Sequence, residues 1–351
     1  MGKKDDKRST RWGDVLRLVV FLGIGIFFIY RFLIKLEPAQ KAAIWHSFLN
    51  ADYAWVAVAM LSCTLSHYIR ALRWRLLFQT IGHTPTRNHI FGSVIVGYLA
   101  NLAFPRAGEV VRCATLRTSE GIPMEKSIGT VVTERIIDML VFVLIVAVGM
   151  LAMFGQAKDW LYNTLSERYE HLPSMWTLGI TTVVGIASLL AAYKLFWKRL
   201  LKYSLFKKID DLVRGMGDGV KSILHLGAHR TALFVAYSVV IYSLYILGGY
   251  IIFQAFGATR GLGLGAAFVV YLFGTVGMTF SQGGIGVYPV LVQVALGIYG
   301  ISMETGAACG WLLWGSQQAV IVSLGAVYTV YFSVIKRRYN KKQQIWKKPD
   351  V

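Results

Sequence analysis

The sequence predicts an all-α, polytopic integral membrane helical bundle, and three observations carry that reading. The 351 residues are 55% hydrophobic with a mean hydropathy of +0.52. Only 16% are charged, against roughly 25% in soluble domains. Charge-free windows recur along the whole chain, and two of them have lengths that fit no simple crossing. A spanning helix takes about 20 apolar residues, and that length sorts the windows in order.

Residues 1–14 form a basic segment expected on the cytoplasmic side. Residues 15–36 follow as a first crossing. No small-residue cleavage site comes after Tyr30, so a retained helix is expected rather than a signal peptide. The second crossing is 53–70. The stretch 91–104 is too short, since about 14 helical residues reach only roughly 21 Å. It is expected to enter and leave on one side, as a re-entrant region over about 91–120. Crossings at 127–154 and 174–197 come next. The hydrophilic segment 198–230 contains Lys207, Lys208, Asp210, Asp211 and Arg214 and reads as an amphipathic helix on the inner surface. The fifth crossing is 231–256.

The stretch 261–303 has no charge; as one helix its 43 residues would measure roughly 65 Å, twice the hydrocarbon thickness. It must break. The break is written at Ser281-Gln282-Gly283-Gly284-Ile285-Gly286, where glycines admit backbone conformations that a helix excludes. Pro289 then suits the first turn of a new helix. This is the second re-entrant region, about 264–299. The sixth crossing, 306–335, leads to a basic tail at 336–351.

Loop charge supports this count of six full crossings and two re-entrant regions. It places 28 Lys and Arg on the inner side against five outside. If both exceptional stretches crossed fully, the division would be 19 to 14. Cytoplasmic loops carry the excess of Lys and Arg, so both termini are predicted to be cytoplasmic. The first broken region then enters from the inner face and the second from the outer face. This arrangement resembles an inverted repeat, a plan in which half-helix ends meet near the midplane and build a binding site.

Several function classes find no support. Cys63, Cys113 and Cys309 lie at no metal or redox spacing, and the seven histidines are scattered, so no metal site, cofactor or disulfide framework is expected. No catalytic constellation is present, and the longest hydrophilic stretch is too short for a soluble catalytic domain; the chain is not expected to be an enzyme. The net charge of +19 sits in loops, where it reports orientation, so nucleic acid is not an expected partner.

The polar residues cluster instead. Asn101-Leu-Ala-Phe-Pro105-Arg106-Ala-Gly108-Glu109-Val-Val-Arg112 is followed by Glu134-Arg135-Ile-Ile-Asp138, directly before an apolar run. Ionisable groups are costly in hydrocarbon and mark substrate or ion sites by default. Pro105 is expected to stop the first short helix and Gly108 to permit a tight turn. Arg106 and Arg112 then lie near Glu109. Arginine suits phosphate because its planar fork donates to two oxygens at once and stays charged when partly dehydrated. The competing reading is that Glu109, Arg112, Glu134, Arg135 and Asp138 neutralise one another and fix helix packing. Glu134 and Asp138 stack on one helix face four residues apart, so either an arginine lies between them or one takes up a proton.

Lesser candidates follow. His67, Arg70, Arg73 and Arg75 read first as snorkelling anchors at the inner end of the second crossing, with a headgroup-collecting patch as the alternative. Gln317 and Gln318 read as interhelical bonds or cavity lining. Trp311 and Trp314 read as packing or interfacial residues.

At these motifs, together with Gly283-Gly284-Ile285-Gly286-Val287, the chain resembles the flippase-like family that includes the membrane part of lysylphosphatidylglycerol synthase, the multiple peptide resistance factor. The resemblance covers roughly 15–335. It implies a bacterial or archaeal cell membrane protein that moves or accommodates lipids or lipid-linked substrates. Asn101, Pro105, Gly108, Glu109, Arg112, Glu134, Arg135, Asp138, Gly283, Gly284 and Gly286 match its motifs. The chain departs from the pattern at Ser281 and Gln282, where family members often carry a proline before the glycine pair. It departs again at Tyr288 and Pro289, where they often carry a glutamate. The synthase members also have a transferase domain, whereas this sequence ends in a basic tail, so lipid-modifying activity is not expected.

The function expected is therefore lipid translocation, with an anionic phospholipid or polyprenyl phosphate as the partner and Asn101, Arg106, Glu109, Arg112, Glu134, Arg135 and Asp138 as candidate contacts. Two alternatives stand beside it: a proton-coupled transporter of a small solute, and a non-transporting membrane partner of an envelope enzyme.

Overall fold

The computed structural model describes residues 38–104, 107–152 and 227–346. The expected crossings at 15–36 and 174–197, the segment at 1–14 and nearly all of 198–230 lie outside the described residues. Within the described residues the chain is helical and contains no strand. The helices are α1 (Pro38–Leu49), α2 (Tyr53–Thr80), α3 (Arg87–Ala103), α4 (Ala107–Glu120), α5 (Met124–Ala152), α6 (Ala228–Phe253), α7 (Leu264–Phe280), α8 (Val287–Gly297) and α9 (Met303–Trp346). Two compact units divide the chain, residues 1–131 with 226–351, and residues 132–225. Of the second unit, the described part is the stretch of α5 from Val132 to Ala152.

Three described helices are long and apolar enough to cross a membrane: α2, α6 and the Met303–Ile335 part of α9. Asp52 opens α2 by accepting the Ala54 N–H at 3.1 Å, which satisfies one of the donors that a helix start leaves over. The helix outlasts the apolar window that predicts it, because Arg70, Arg73 and Arg75 are good helix formers and nothing stops the chain before Gly82, whose φ is +75°. The two shorter apolar helices, α7 and α8, adjoin a 3₁₀ turn at Gln282–Gly284. There Gly283, Gly284 and Gly286 hold φ of 58°, 78° and 73°, a region closed to most side chains. Pro289 stands third in α8, where its missing N–H costs no helical bond.

Glycines set how closely these elements pack. On α3, a Cβ at Gly92 would overlap the Tyr328 ring of α9, and one at Gly325 of α9 would lie 2.9 Å from the Leu99 side chain. A Cβ at Gly277 of α7 would lie 2.8 Å from the Tyr288 backbone, and one at Gly310 of α9 would lie 2.7 Å from the Pro289 carbonyl oxygen. Small residues that let backbones approach are how helices associate where hydrophobic exclusion is weak. The pairings also fix direction: α3 and α4, α7 and α8, and α3 and α9 each run antiparallel.

Candidate functional site

The first break is built on contact between two glycines. Gly97 and Gly108 face each other so closely that a Cβ on Gly108 would overlap the Gly97 carbonyl oxygen and lie 2.7 Å from Asn101 Oδ1. Gly108 lies in the first turn of α4 without a positive φ. The expected tight turn at this residue is thus corrected: its lack of a side chain serves close approach. Asn101 Oδ1 accepts the Gly108 N–H at 2.7 Å and so caps the helix that follows. Pro105 and Arg106, between the two helices, lie outside the described residues.

One turn further into α4 lies Arg112, 5% exposed, with its guanidinium 4.4 Å from the centroid of the Trp74 ring. The ring's negative face favours a cation there. Trp74 is itself fully buried, and its Nε1–H donates to Thr130 Oγ1 at 2.9 Å. Glu109 is half-buried on the same helix.

Arg70 and Arg73 share this region of α2. They are 7% and 0% exposed. Arg73 lies over the Phe234 ring at 5.2 Å and donates to Ser238 Oγ at 3.1 Å. His67 is also buried, with its ring 4.8 Å from that of Tyr98. The reading of these three residues as snorkelling anchors is therefore corrected: α2 continues to Thr80, so its basic face packs against α6 and α3. Arg75 donates to the Pro85 carbonyl at 2.7 Å. Sequence reasoning placed the helix end too early, and a helical-wheel continuation past Arg70 carries the signal it passed over.

The second break meets the first. Gly283 lies against Leu102, whose Cδ2 would be 3.0 Å from an added Cβ. The Gly283 carbonyl is held from α9, where Trp314 Nε1–H donates to it at 2.7 Å and Gln318 Nε2 at 3.5 Å. Trp314 and Gln318 are thus bonding partners of irregular backbone, and Trp311 packs edge-on against Trp314. Gln317 shares a hydrogen bond with the Tyr288 hydroxyl.

In the second unit, Arg135 Nη2 lies 3.4 Å from Glu134 Oε1 and 3.2 Å from Asp138 Oδ2. Glu134 is fully buried. The candidate residues therefore divide: Asn101, Gly108, Glu109, Arg112, Gly283, Gly284 and Gly286 belong to the first unit, and Glu134, Arg135 and Asp138 to the second.

At the far end of the α3–α4 pair, one carboxylate oxygen gathers three bonds. Glu120 Oε1 accepts from the Thr86 N–H at 2.9 Å and the Thr86 hydroxyl at 2.6 Å, and it bonds His89 Nδ1 at 2.6 Å. Partial burial opposes the charge, but the bonds from Thr86 and His89 outweigh it and hold the Glu120 carboxyl below its ordinary value. His89 Nε2 also bonds the Tyr331 hydroxyl at 3.2 Å, and the Tyr328 hydroxyl donates to Asn88 Oδ1 at 2.6 Å. No cluster of three or more His, Cys, Asp or Glu suited to a metal is found among the described residues.

Two curated relatives are similar to parts of the chain. The glycosyltransferase AglD of Haloferax volcanii is 25% identical over 124 residues, which is 35% of this chain and 19% of the relative. A UPF0104 membrane protein of Methanocaldococcus jannaschii is 26% identical over 195 residues, 55% of this chain and 53% of the relative. The chain thus spans about a fifth and about half of the lengths of these relatives. No solved structure matches it. The description "Lysylphosphatidylglycerol synthase TM region" fits residues 15–341, and the chain belongs to that family of membrane proteins.

Proposed function

We propose that the chain moves a lipid or lipid-linked substrate between leaflets, binding an anionic headgroup in a polar intramembrane site. The observation that carries this reading is the burial of three guanidinium groups, Arg70, Arg73 and Arg112, in one unit, with Arg112 one turn beyond the first break. A guanidinium donates to two phosphate oxygens at once and stays charged when partly dehydrated, and a phosphate supplies both charge and acceptors. Asn101 and Glu109 flank the site, and Arg106 lies between them in the sequence. Arg135, held by Glu134 and Asp138, is a separate candidate contact within the second unit.

In this reading six helices cross the membrane, and residues 91–120 and 264–299 are re-entrant. Both termini are cytoplasmic, and the membrane is the cell membrane of a bacterium or archaeon. The partner is an anionic phospholipid or a polyprenyl phosphate, and the chain performs no covalent chemistry. The transferase activity named in one relative is not carried over, since the match covers a fifth of that protein.

Reconstitution into liposomes with dithionite-quenchable lipids tests the proposal. Transbilayer movement is expected for at least one anionic lipid, and Arg112→Gln is expected to slow it about tenfold or more, as loss of a buried charged contact worth 1.5–3 kcal/mol implies. Unchanged movement across a panel of phospholipids and polyprenyl phosphates would sink it.

A further inference from the structure

The three long apolar helices do not close on one another completely. Between α2, α6 and α9 lies a cavity of about 50 Å³, lined by Ala59, Cys63 and His67, by Leu244, Tyr245 and Gly248, and by Leu313, Ser316 and Gln317. We propose that this cavity is a hydrated segment of the substrate route, a water-binding site that carries the polar part of the substrate from the arginine-rich side of α2 toward the second break. The route rests on the translocator reading; the hydration does not.

Three observations support it. His67 is more than nine-tenths buried, yet its Nδ1 has no hydrogen-bond partner among the described residues, while its Nε2 lies 3.5 Å from Cys63 Sγ. An orphaned buried polar atom is satisfied by ordered water when space allows. Here there is room for water, and Tyr245, Ser316 and Gln317 stand with His67 among the lining residues as polar partners. An apolar cavity of this size would stay dry.

The second observation is position. His67 packs on Tyr98, one turn before Asn101 of the first break, and Gln317 bonds Tyr288, just beyond the glycines of the second. Arg70 follows His67 by one turn of α2 and is likewise buried. The third is Gly248, where an added Cβ would meet nothing within 4 Å. A larger side chain there enters the cavity without displacing backbone.

Radiolytic hydroxyl labelling of the full chain in liposomes, read by mass spectrometry, uses the water itself as the probe. Cys63 is expected to oxidise at least tenfold faster than Cys113 and Cys309, which are fully buried. Gly248→Leu is expected to slow Cys63 about tenfold, with Ser316→Leu as a second plug from the opposite wall should the first not fold. Equal rates at the three cysteines, or no effect of a folded plug, overturn the hydrated site. In the lipid assay, a plug is expected to slow transbilayer movement tenfold or more; undiminished movement overturns the route. If the unmodified protein moves no lipid, the translocator reading and the route fail together, while the labelling result still decides the hydration.

Discussion

Asn101 Oδ1 accepts the Gly108 N–H across the first break at 2.7 Å, so the helix before the break caps the helix after it. Asn101→Ala is expected to lower stability by about 1 kcal/mol, the usual worth of such a cap. Asn101→Asp, which keeps an acceptor, is expected to restore most of it. Thermal unfolding in a fixed detergent compares the two, and equal losses in both would argue against capping.

Gly108→Ala acts through space instead of hydrogen bonding. Its Cβ would overlap the Gly97 carbonyl oxygen and press on Asn101, and both lie on a rigid helix. Overpacking of this kind costs about 1–3 kcal/mol. The variant is expected to melt earlier than wild type and to move lipid more slowly.

Trp74 and Thr130 are expected to be energetically coupled. Trp74→Phe keeps a ring beneath Arg112 but removes the N–H, and Thr130→Val removes the acceptor. Thr130→Val leaves the buried Trp74 N–H without its acceptor, at about 1–3 kcal/mol, whereas after Trp74→Phe the Thr130 hydroxyl still donates to the Ser127 carbonyl at 2.7 Å. The double variant is expected to lose less than the two singles together. Denaturation of all four proteins closes the cycle, and strict additivity would contradict the bond at 2.9 Å.

The Glu120 bonds define a pH dependence. The folded-state carboxyl is held below its ordinary value of 4.5, so the unfolded chain takes up a proton first as pH falls. The stabilisation is full above about pH 4.5 and is lost as pH drops through the lower folded value. Glu120→Gln is expected to be less stable than wild type near pH 7, and the gap is expected to shrink toward pH 3. A gap that widens on acidification would contradict this sign. Because Glu120 is partly exposed, salt screening keeps the effect small.

Gly283→Ala is expected to destabilise by about 1–2 kcal/mol from its left-handed backbone alone, since φ is +58°. Leu102→Ala in the same chain is expected to relieve the contact part of the cost but not the backbone part. Unfolding midpoints of the pair separate the two.

Sequence and structure agree most closely where glycine or length forces the answer. The run from Ser281 to Gly286 breaks a stretch too long for one helix, and α7 and α8 are separated there. The cluster at 101–112 was legible because charge in hydrocarbon is conspicuous. The burial of Arg70 and Arg73 was not, since a basic residue at the end of an apolar window looks the same whether the helix stops or continues into the protein. Nor was the purpose of Gly108, because the glycine opposite it, Gly97, lies eleven positions away and only the fold brings them together. Trp314 and Gln318 became partners of Gly283 by the same route, across more than thirty residues.

The last helix touches the second break and the base of the α3–α4 pair at points far apart along its axis. Trp314 and Gln318 hold the Gly283 carbonyl, while Tyr328 and Tyr331 hold Asn88 and His89 at the base of the α3–α4 pair. From Trp314 to Tyr328 the helix rises roughly 21 Å. It therefore works as a tie rod, and a rod fixes a length: the second break cannot shift along α9 relative to the base of the α3–α4 pair unless a bond at one end lets go.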